Sequence, residues 1–147
     1  MMRRWWLAAA FAGPLACGHG SDGAAPTPAK PNPMSQLDLK LRANPSALAM
    51  AERPRFQVGF EITNRSASVI DPKAWDAVLL VNGQRAPAWD LAVQNGAHDD
   101  TWTHLPPSQT ISMSWPLGEA LFEAPGDYHL VLQLAGAESK VDVRVTP

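Results

Sequence analysis

The chain has 147 residues, 46% of them hydrophobic, and its 12 basic and 14 acidic side chains give a net charge of −2. This mild balance excludes nucleic-acid binding, which needs a strongly basic face. It also excludes attachment to anionic lipid through a polybasic segment. The single cysteine, Cys17, excludes an intrachain disulfide and a zinc site built from several cysteines.

Residues 1–16 are predicted to be a bacterial signal peptide. Arg3 and Arg4 form a charged start, and an uncharged, mostly apolar run leads to Cys17. This layout is typical of secretory signals, and the run is too short for a spanning helix, which needs about 20 apolar residues. The two arginines also resemble a twin-arginine export motif, although no Ser or Thr precedes them. Export from the cytoplasm is therefore expected.

Leu15-Ala16-Cys17 resembles the end of a lipobox, the cleavage motif of bacterial lipoproteins. The resemblance implies that Cys17 is acylated through its sulfur, becomes the first mature residue and anchors the protein to a membrane. Proline stands at position 14, where the family prefers leucine. The alternative is ordinary cleavage after Ala12, which would leave a secreted or periplasmic protein without an anchor.

Residues 17–34 are predicted to be a linker that follows the anchor. They are rich in Gly, Pro and Ala without apolar periodicity, so they cannot bury enough surface to offset the entropy of ordering. A Pro-rich tether rises about 3.1 Å per residue and could hold a domain roughly 50 Å from a bilayer. Gly18 stands where an Asp retains enterobacterial lipoproteins at the inner membrane, which favours the outer membrane.

From residue 35 onward, apolar and polar residues alternate with a period of two, which is typical of half-buried strands. Asn82-Gly83 predicts a type I′ hairpin, because both central residues of that turn need a positive φ. Ala135-Gly136 predicts a second hairpin. Only Ala47–Glu52 could form a helical turn, and its alternating Leu48 and Met50 fit a short edge strand equally well. The clearest alternating runs are Leu37–Arg42, Phe56–Thr63, Ile111–Trp115 and Val141–Val145.

Seven to nine short strands within residues 35–147 predict one all-β domain, and its details resemble the immunoglobulin-like β-sandwich. Tyr128 opens the penultimate strand, where that group keeps a corner tyrosine, and Trp75 resembles the tryptophan of strand C. The resemblance implies an antiparallel sandwich, here without a disulfide. Apolar residues stand at the two half-cystine places, namely Leu130 and either Val58 or Phe60.

Three segments are similar, in the same order, to a family of bacterial proteinase-inhibitor domains that was first described as intracellular. The shared features are an Asn-containing turn after a strand, a Pro-rich approach to a strand ending in Trp, and a Gly-x-Tyr strand opening. These features are general among sandwiches, and no inhibitory loop carries over residue by residue. The segments are FEITNRSASVI, LPPSQTISMSW and PGDYHLVLQL.

One polar segment, QNGAHDDTWTH, holds four potential metal ligands. Two imidazoles with carboxylates would suit zinc, and two aspartates with an asparagine would suit calcium. Five residues separate the two histidines, however, and no second cluster completes a zinc motif. We therefore predict no metal and interpret the segment as a loop in which Asp and Asn serve turns. The four candidate ligands of the alternative are His98, Asp99, Asp100 and His104.

The tryptophans are the candidate binding residues. Trp75 and Trp115 fit positions in the core, whereas Trp89 and Trp102 fall in less regular segments, where exposure of one or both is one of two interpretations. With His104 they would form a binding patch, because an exposed Trp among polar residues anchors protein or sugar contacts. We favour the alternative, in which each covers one end of the sandwich core, since Trp is usually largely buried.

The sequence contains no Gly-x-Ser-x-Gly, HExxH or P-loop motif, and its acidic residues form no evident acid–base pair. We therefore predict a non-enzymatic module of the cell envelope that needs no cofactor. A lipid at its N terminus would join it to the membrane, and its partner would be an envelope protein or a glycan. Protease inhibition and metal binding are the alternative functions.

Overall fold

The computed structural model describes residues 36–147, so the predicted signal peptide (1–16), the anchor at Cys17 and the linker (17–34) lie outside the described residues. Residues 36–147 form eight strands, within the predicted range of seven to nine. The strands are β1 (Leu37–Asn44), β2 (Ala47–Ala49), β3 (Gln57–Asn64), β4 (Val78–Val81), β5 (Gln84–Arg85), β6 (Thr110–Trp115), β7 (Gly126–Leu134) and β8 (Ala137–Thr146).

The strands form two sheets, one ordered β1-β3-β6 and the other β2-β8-β7-β4-β5. All neighbours are antiparallel except β2 and β8, which pair in parallel. In the lettering of immunoglobulin domains, β1, β3 and β6 are strands A, B and E, and β4, β7 and β8 are strands C, F and G. The domain is therefore an immunoglobulin-like β-sandwich without a disulfide, as predicted.

The core lies between the two sheets and follows the period-two pattern of the sequence. Val58, Phe60 and Ile62 of β3 are fully buried, and so are Leu130 and Leu132 of β7. Apolar side chains thus fill both places where antibody domains carry half-cystines, which means that burial supplies the stabilisation that a disulfide would otherwise add.

Both predicted hairpins are confirmed. Asn82 and Gly83 have φ values of 50° and 81° and join β4 to β5, as a type I′ turn requires. Ala135 and Gly136 have φ values of 52° and 85° and join β7 to β8.

The corner tyrosine is also confirmed. The Tyr128 hydroxyl donates a 2.7 Å hydrogen bond to the carbonyl oxygen of Ala124, four residues upstream. Its ring packs against Phe122, with the two ring centroids 4.7 Å apart. The bond fixes the direction from which the chain enters β7.

The short edge strand that is one of the two interpretations of Ala47–Glu52 is confirmed, but the prediction that no other segment forms a helical turn is wrong. Ala47–Ala49 is strand β2, and a 3-10 helix follows at Met50–Arg55. Two α-helices form elsewhere: α1 (Pro87–Asn95) and the single turn α2 (Gly118–Leu121). Helix α1 begins at a proline, whose fixed φ suits the first helical position, and it buries Trp89 and Val93, which lie one turn apart. Within residues 36–147, no helix has the length and apolar character needed to cross a bilayer.

Candidate functional site

A groove of about 260 Å³ lies beside the N-terminal end of β4, between that strand and helix α1. We call it the Trp75 groove. Its wall combines one exposed indole with charged and amide side chains, a composition suited to binding a polar ligand. The residues that define it are Trp75, Asp76, Val78, Arg85, Asp90 and Gln94.

Trp75 faces the groove because of the turn that precedes β4. Asp71 accepts a 3.0 Å hydrogen bond from the backbone nitrogen of Lys73, which has a positive φ of 56°. The 3-10 turn Ala74–Asp76 follows, and it buries Ala74 completely. With Ala74 pointing inward, the next side chain points outward, and Trp75 is 41% exposed.

The opposite wall is held by two polar contacts. The indole Nε1 of Trp89 donates a 2.9 Å hydrogen bond to the Ala77 carbonyl oxygen, which fixes α1 beside β4. At the rim, Arg85 Nε lies 2.8 Å from Asp90 Oδ2. The hydrogen bond to Asp90 and the charge of that carboxylate raise the pKa of the Arg85 guanidinium.

Trp75 has a rigid backing of aromatic rings. Its ring centroid lies 4.9 Å from that of Trp102 and 4.0 Å from that of His98. Trp102 in turn contacts Phe60 in the core, at a centroid distance of 5.7 Å. The exposed indole is thus the outer end of a stack that begins in the centre of the sandwich.

His98 is packed within this stack, 3.8 Å from the ring centroid of Trp102. Both of its ring nitrogens are shielded from solvent and have no hydrogen-bond partner among the described residues. The side chain therefore serves as a packing element behind Trp75 and does not face the groove as a polar group.

The interpretation in which Trp89 or Trp102 is exposed is wrong, and the favoured alternative, in which each covers the core, is confirmed. Trp89 has no exposed surface and Trp102 is 2% exposed, because the first lies on the inner face of α1 and the second on a turn that packs against Phe60. The placement of Trp75 in the core is wrong as well, because Trp75 precedes strand C and does not lie within it. Of the candidate patch, only His104 is exposed.

The four candidate metal ligands do not converge. Within residues 36–147, no group of three His, Cys, Asp or Glu side chains is arranged to hold a metal ion. Asp99 caps a turn by accepting hydrogen bonds from the backbone nitrogen and the hydroxyl of Thr101, which lower the pKa of its carboxyl. His104 hydrogen-bonds the hydroxyl of Thr103 through Nδ1, and Asp100 lies in the capped turn.

A second depression, of about 380 Å³, lies at the hairpin between β7 and β8. We call it the hairpin depression. It shares Asp76 and Val78 with the Trp75 groove, so the two adjoin. Its polar lining includes Gln133 and Glu138, and the amide of Gln133 and the ammonium of Lys140 lower the pKa of the Glu138 carboxyl.

Sequence reasoning missed Trp75, Asp76 and the Arg85–Asp90 pair as site residues. The proline at position 87 is a signal that could have indicated the Arg85–Asp90 pair. A proline is common at the first position of a helix, and a helix that begins at residue 87 brings Arg85 and Asp90 close together around its first turn. The exposure of Trp75 depends on the left-handed conformation of Lys73, which no short pattern indicates.

The three segments that are similar to the inhibitor family contain the second part of β3, from Phe60 to Asn64, and all of β6 and β7. Protease inhibition stays a prediction.

No family model matches this chain, and no curated protein matches it either. Among solved structures, it is similar to a CARDB domain from Pyrococcus furiosus that was crystallised in complex with di-metal ions. The two are 12% identical, the match covers 75% of this chain and 92% of the other, and the TM-score is 0.46.

Proposed function

We propose that residues 35–147 form a non-catalytic binding module of the bacterial cell envelope, and that the Trp75 groove is its contact site. The observation that carries the proposal is the exposure of Trp75, 41%, on a stack of rings that reaches the core. Exposed aromatic rings contribute much of the binding energy at interfaces. A ring that is already held in place loses little conformational entropy on binding.

The polar residues of the groove support binding more than catalysis. Arg85 and Asp90 are paired with each other, and the groove is lined by no histidine, cysteine, serine or lysine. These are the side chains that most often act as nucleophiles or proton carriers near neutral pH. The remaining groups, Asp76 and Gln94, can accept or donate hydrogen bonds to a ligand.

The location of the module is part of the proposal and rests on the sequence. The signal-like residues 1–16 would direct export, and a lipid on Cys17 would hold the domain at a membrane, with the outer membrane favoured by Gly18. The test is the intact mass of the protein extracted from membranes. A mass that includes acyl chains on residues 17–147 supports the anchor, and an unacylated chain beginning after Ala12 contradicts it.

The binding role is tested with the purified mature protein and Trp75→Ala. The assay is co-sedimentation with two envelope preparations, peptidoglycan sacculi and outer-membrane vesicles. We expect the wild type to bind one of them and Trp75→Ala to lose about tenfold or more in affinity, as interface aromatics do. The matched control is Leu91→Ala, which removes another exposed apolar side chain, 61% exposed, from the outer side of α1. Absence of binding by the wild type, or equal loss in both variants, refutes the proposal.

A further inference from the structure

We infer that the Trp75 groove and the hairpin depression are two halves of one cleft that binds a linear, uncharged glycan chain. The inference rests on the proposed function of the groove and adds the class of ligand. The two depressions are joined at Asp76 and Val78, which belong to both. Pockets for small ligands usually enclose 300–1,000 Å³, so each half alone lies near the lower limit. A ligand that uses the whole cleft must be elongated.

The chemistry along the cleft changes from one end to the other. One end offers the indole of Trp75, and the other offers the amide of Gln133 and the carboxylate of Glu138, which are joined by a 2.7 Å hydrogen bond. A sugar ring has an apolar face that stacks on an indole and hydroxyl groups that donate to carboxylates and amides. A chain of sugar units presents both features repeatedly.

Asp76 lies where the two halves of the cleft meet, so its carboxylate acts on the charge of a ligand that spans both. Among residues 36–147, its carboxylate has no salt bridge and no side-chain hydrogen-bond partner, in contrast to Asp90 and Glu138. A free carboxylate accepts hydrogen bonds from hydroxyl groups and repels carboxylates and phosphates. The cleft therefore favours an uncharged chain over an acidic one.

An extended peptide fits the cleft less well where β4 crosses it, because Ala77 and Val78 already use backbone groups for contacts within the domain. Val78 pairs with Gln133 of β7, and the Ala77 carbonyl oxygen already accepts the indole N–H of Trp89. Peptides that bind beside a sheet usually gain affinity from main-chain hydrogen bonds to an open edge. At Ala77 and Val78, recognition of a ligand therefore depends mainly on side chains.

The test uses the mature protein and neutral β-1,4-linked oligomers of glucose and of N-acetylglucosamine, one to six units long, in calorimetric titrations. We expect affinity to increase with length by about tenfold or more between two and five units, as a second set of contacts is added. Trp75→Ala should lose binding to every oligomer. Ala137→Arg, which places a long side chain in the hairpin depression, should remove only the gain with length. Gln133→Ala provides a milder variant of the same half.

An acidic probe tests the role of Asp76. Oligogalacturonate should bind more weakly than the neutral oligomers, and Asp76→Asn should reduce that difference. Leu91→Ala is again the control for both series.

The possible failures separate the two proposals. If Trp75→Ala loses envelope binding while no oligomer binds, or while length has no effect, the glycan cleft is refuted and the binding module stands. If Trp75→Ala binds everything as the wild type does, both are refuted.

Discussion

The indole nitrogen of Trp89 donates a 2.9 Å hydrogen bond to the carbonyl oxygen of Ala77, and both groups are buried. Through this bond, helix α1 occupies the space beside the start of β4 where a further edge strand could pair. The same contact fixes the distance between the two walls of the Trp75 groove. Trp89 therefore determines the shape of the candidate site, although it cannot touch a ligand.

Replacing Trp89 with phenylalanine should destabilise the fold. The variant keeps an aromatic ring but leaves the buried Ala77 carbonyl without a donor, which costs about 1–3 kcal/mol, and it adds a small cavity. Urea unfolding measures the loss. Leu91→Ala on the same helix should change the free energy of unfolding by less than about 0.5 kcal/mol, as exposed positions usually do. Equal effects of the two substitutions would contradict the assigned role of the bond.

Asn64→Ala should cost about 3 kcal/mol or more, because several buried polar groups lose their partner at once. The fully buried Asn64 amide donates to the carbonyl oxygens of Ser68 and Leu105, at 2.8 and 2.9 Å, and its oxygen accepts from the Ser66 nitrogen at 2.8 Å. These bonds hold the loop after β3 against the segment before β6. Thermal and urea unfolding would measure the loss of stability. The control is Asn95→Ala, because Asn95 is exposed. Comparable unfolding midpoints for the two variants would contradict the role assigned to Asn64.

Gly59→Ala should disrupt the pairing of β3 with β6. A Cβ atom at this position would overlap the Met113 carbonyl oxygen and lie 2.6 Å from the Cα of Ser114, both in the backbone of the neighbouring strand. Gly126→Ala is the matched control, since its Cβ would meet only Tyr128, at an ordinary 3.9 Å. For Gly59→Ala we expect a low soluble yield, or a free energy of unfolding that is lower by about 2 kcal/mol or more, in the range of overpacked sites. For Gly126→Ala we expect unfolding close to that of the wild type. A stable Gly59→Ala protein with an unchanged midpoint would show that the strands can separate at no cost.

Tyr128→Phe should lower the free energy of unfolding by about 1 kcal/mol, the typical net value of one hydrogen bond. The phenol donates to the Ala124 carbonyl oxygen and lies 3.3 Å from the Ala124 nitrogen, so the substitution removes the corner contact while keeping the ring against Phe122. Guanidinium unfolding monitored by tryptophan fluorescence is the measurement. An unchanged midpoint would mean that the chain direction at the start of β7 is fixed by packing alone.

Acidification should destabilise the domain below about pH 4. Hydrogen bonds from Arg42, Arg65 and Arg144 lower the pKa values of the carboxyls of Glu61, Asp38 and Asp127, respectively. A carboxyl whose pKa is lower in the folded than in the unfolded chain stabilises the fold at any pH above its pKa in the unfolded chain, which is near 4. This contribution disappears as the pH falls through the pKa of the folded chain. Urea midpoints should be flat from pH 7 to about 5 and fall below about 4.

Salt provides the control for the acid prediction. The paired groups are exposed, so 1 M sodium chloride should reduce the dependence on pH by screening their charges. A midpoint that increases on acidification would contradict these pairs.

The features that could be predicted from the sequence are those that a few adjacent residues determine. Asn82-Gly83 can form its turn whatever surrounds it, because the requirement for positive φ is local. The alternation of Val58, Phe60 and Ile62 indicates the buried face of a strand in the same way. Tyr128 was identified from its position after Gly126-Asp127, and its bond to Ala124 spans only four residues.

The site could not be predicted because it depends on contacts between distant residues. Trp102 is buried against Phe60, which lies 42 positions earlier in the chain. Trp89 is buried because helix α1 packs beside β4, where the Trp89 indole donates a hydrogen bond to the Ala77 carbonyl oxygen. A pattern with a period of two assigns residues to sheet faces, but it does not indicate where a nine-residue helix replaces a strand. The pattern therefore places Trp75 in the core, although it is 41% exposed, and leaves both burial and exposure open for Trp89 and Trp102.

The parallel pairing of β2 with β8, and the 2.8 Å hydrogen bond from the Leu41 nitrogen to the Ser139 hydroxyl, connect the first strands of the domain to the last. These contacts span about two thirds of the chain, so they cannot form while the C-terminal residues are still inside a ribosome or a transport channel. Long-range pairing of this kind also slows folding. The contacts between the first and last strands of the domain therefore form only after its synthesis is complete, when β8 is free to pair.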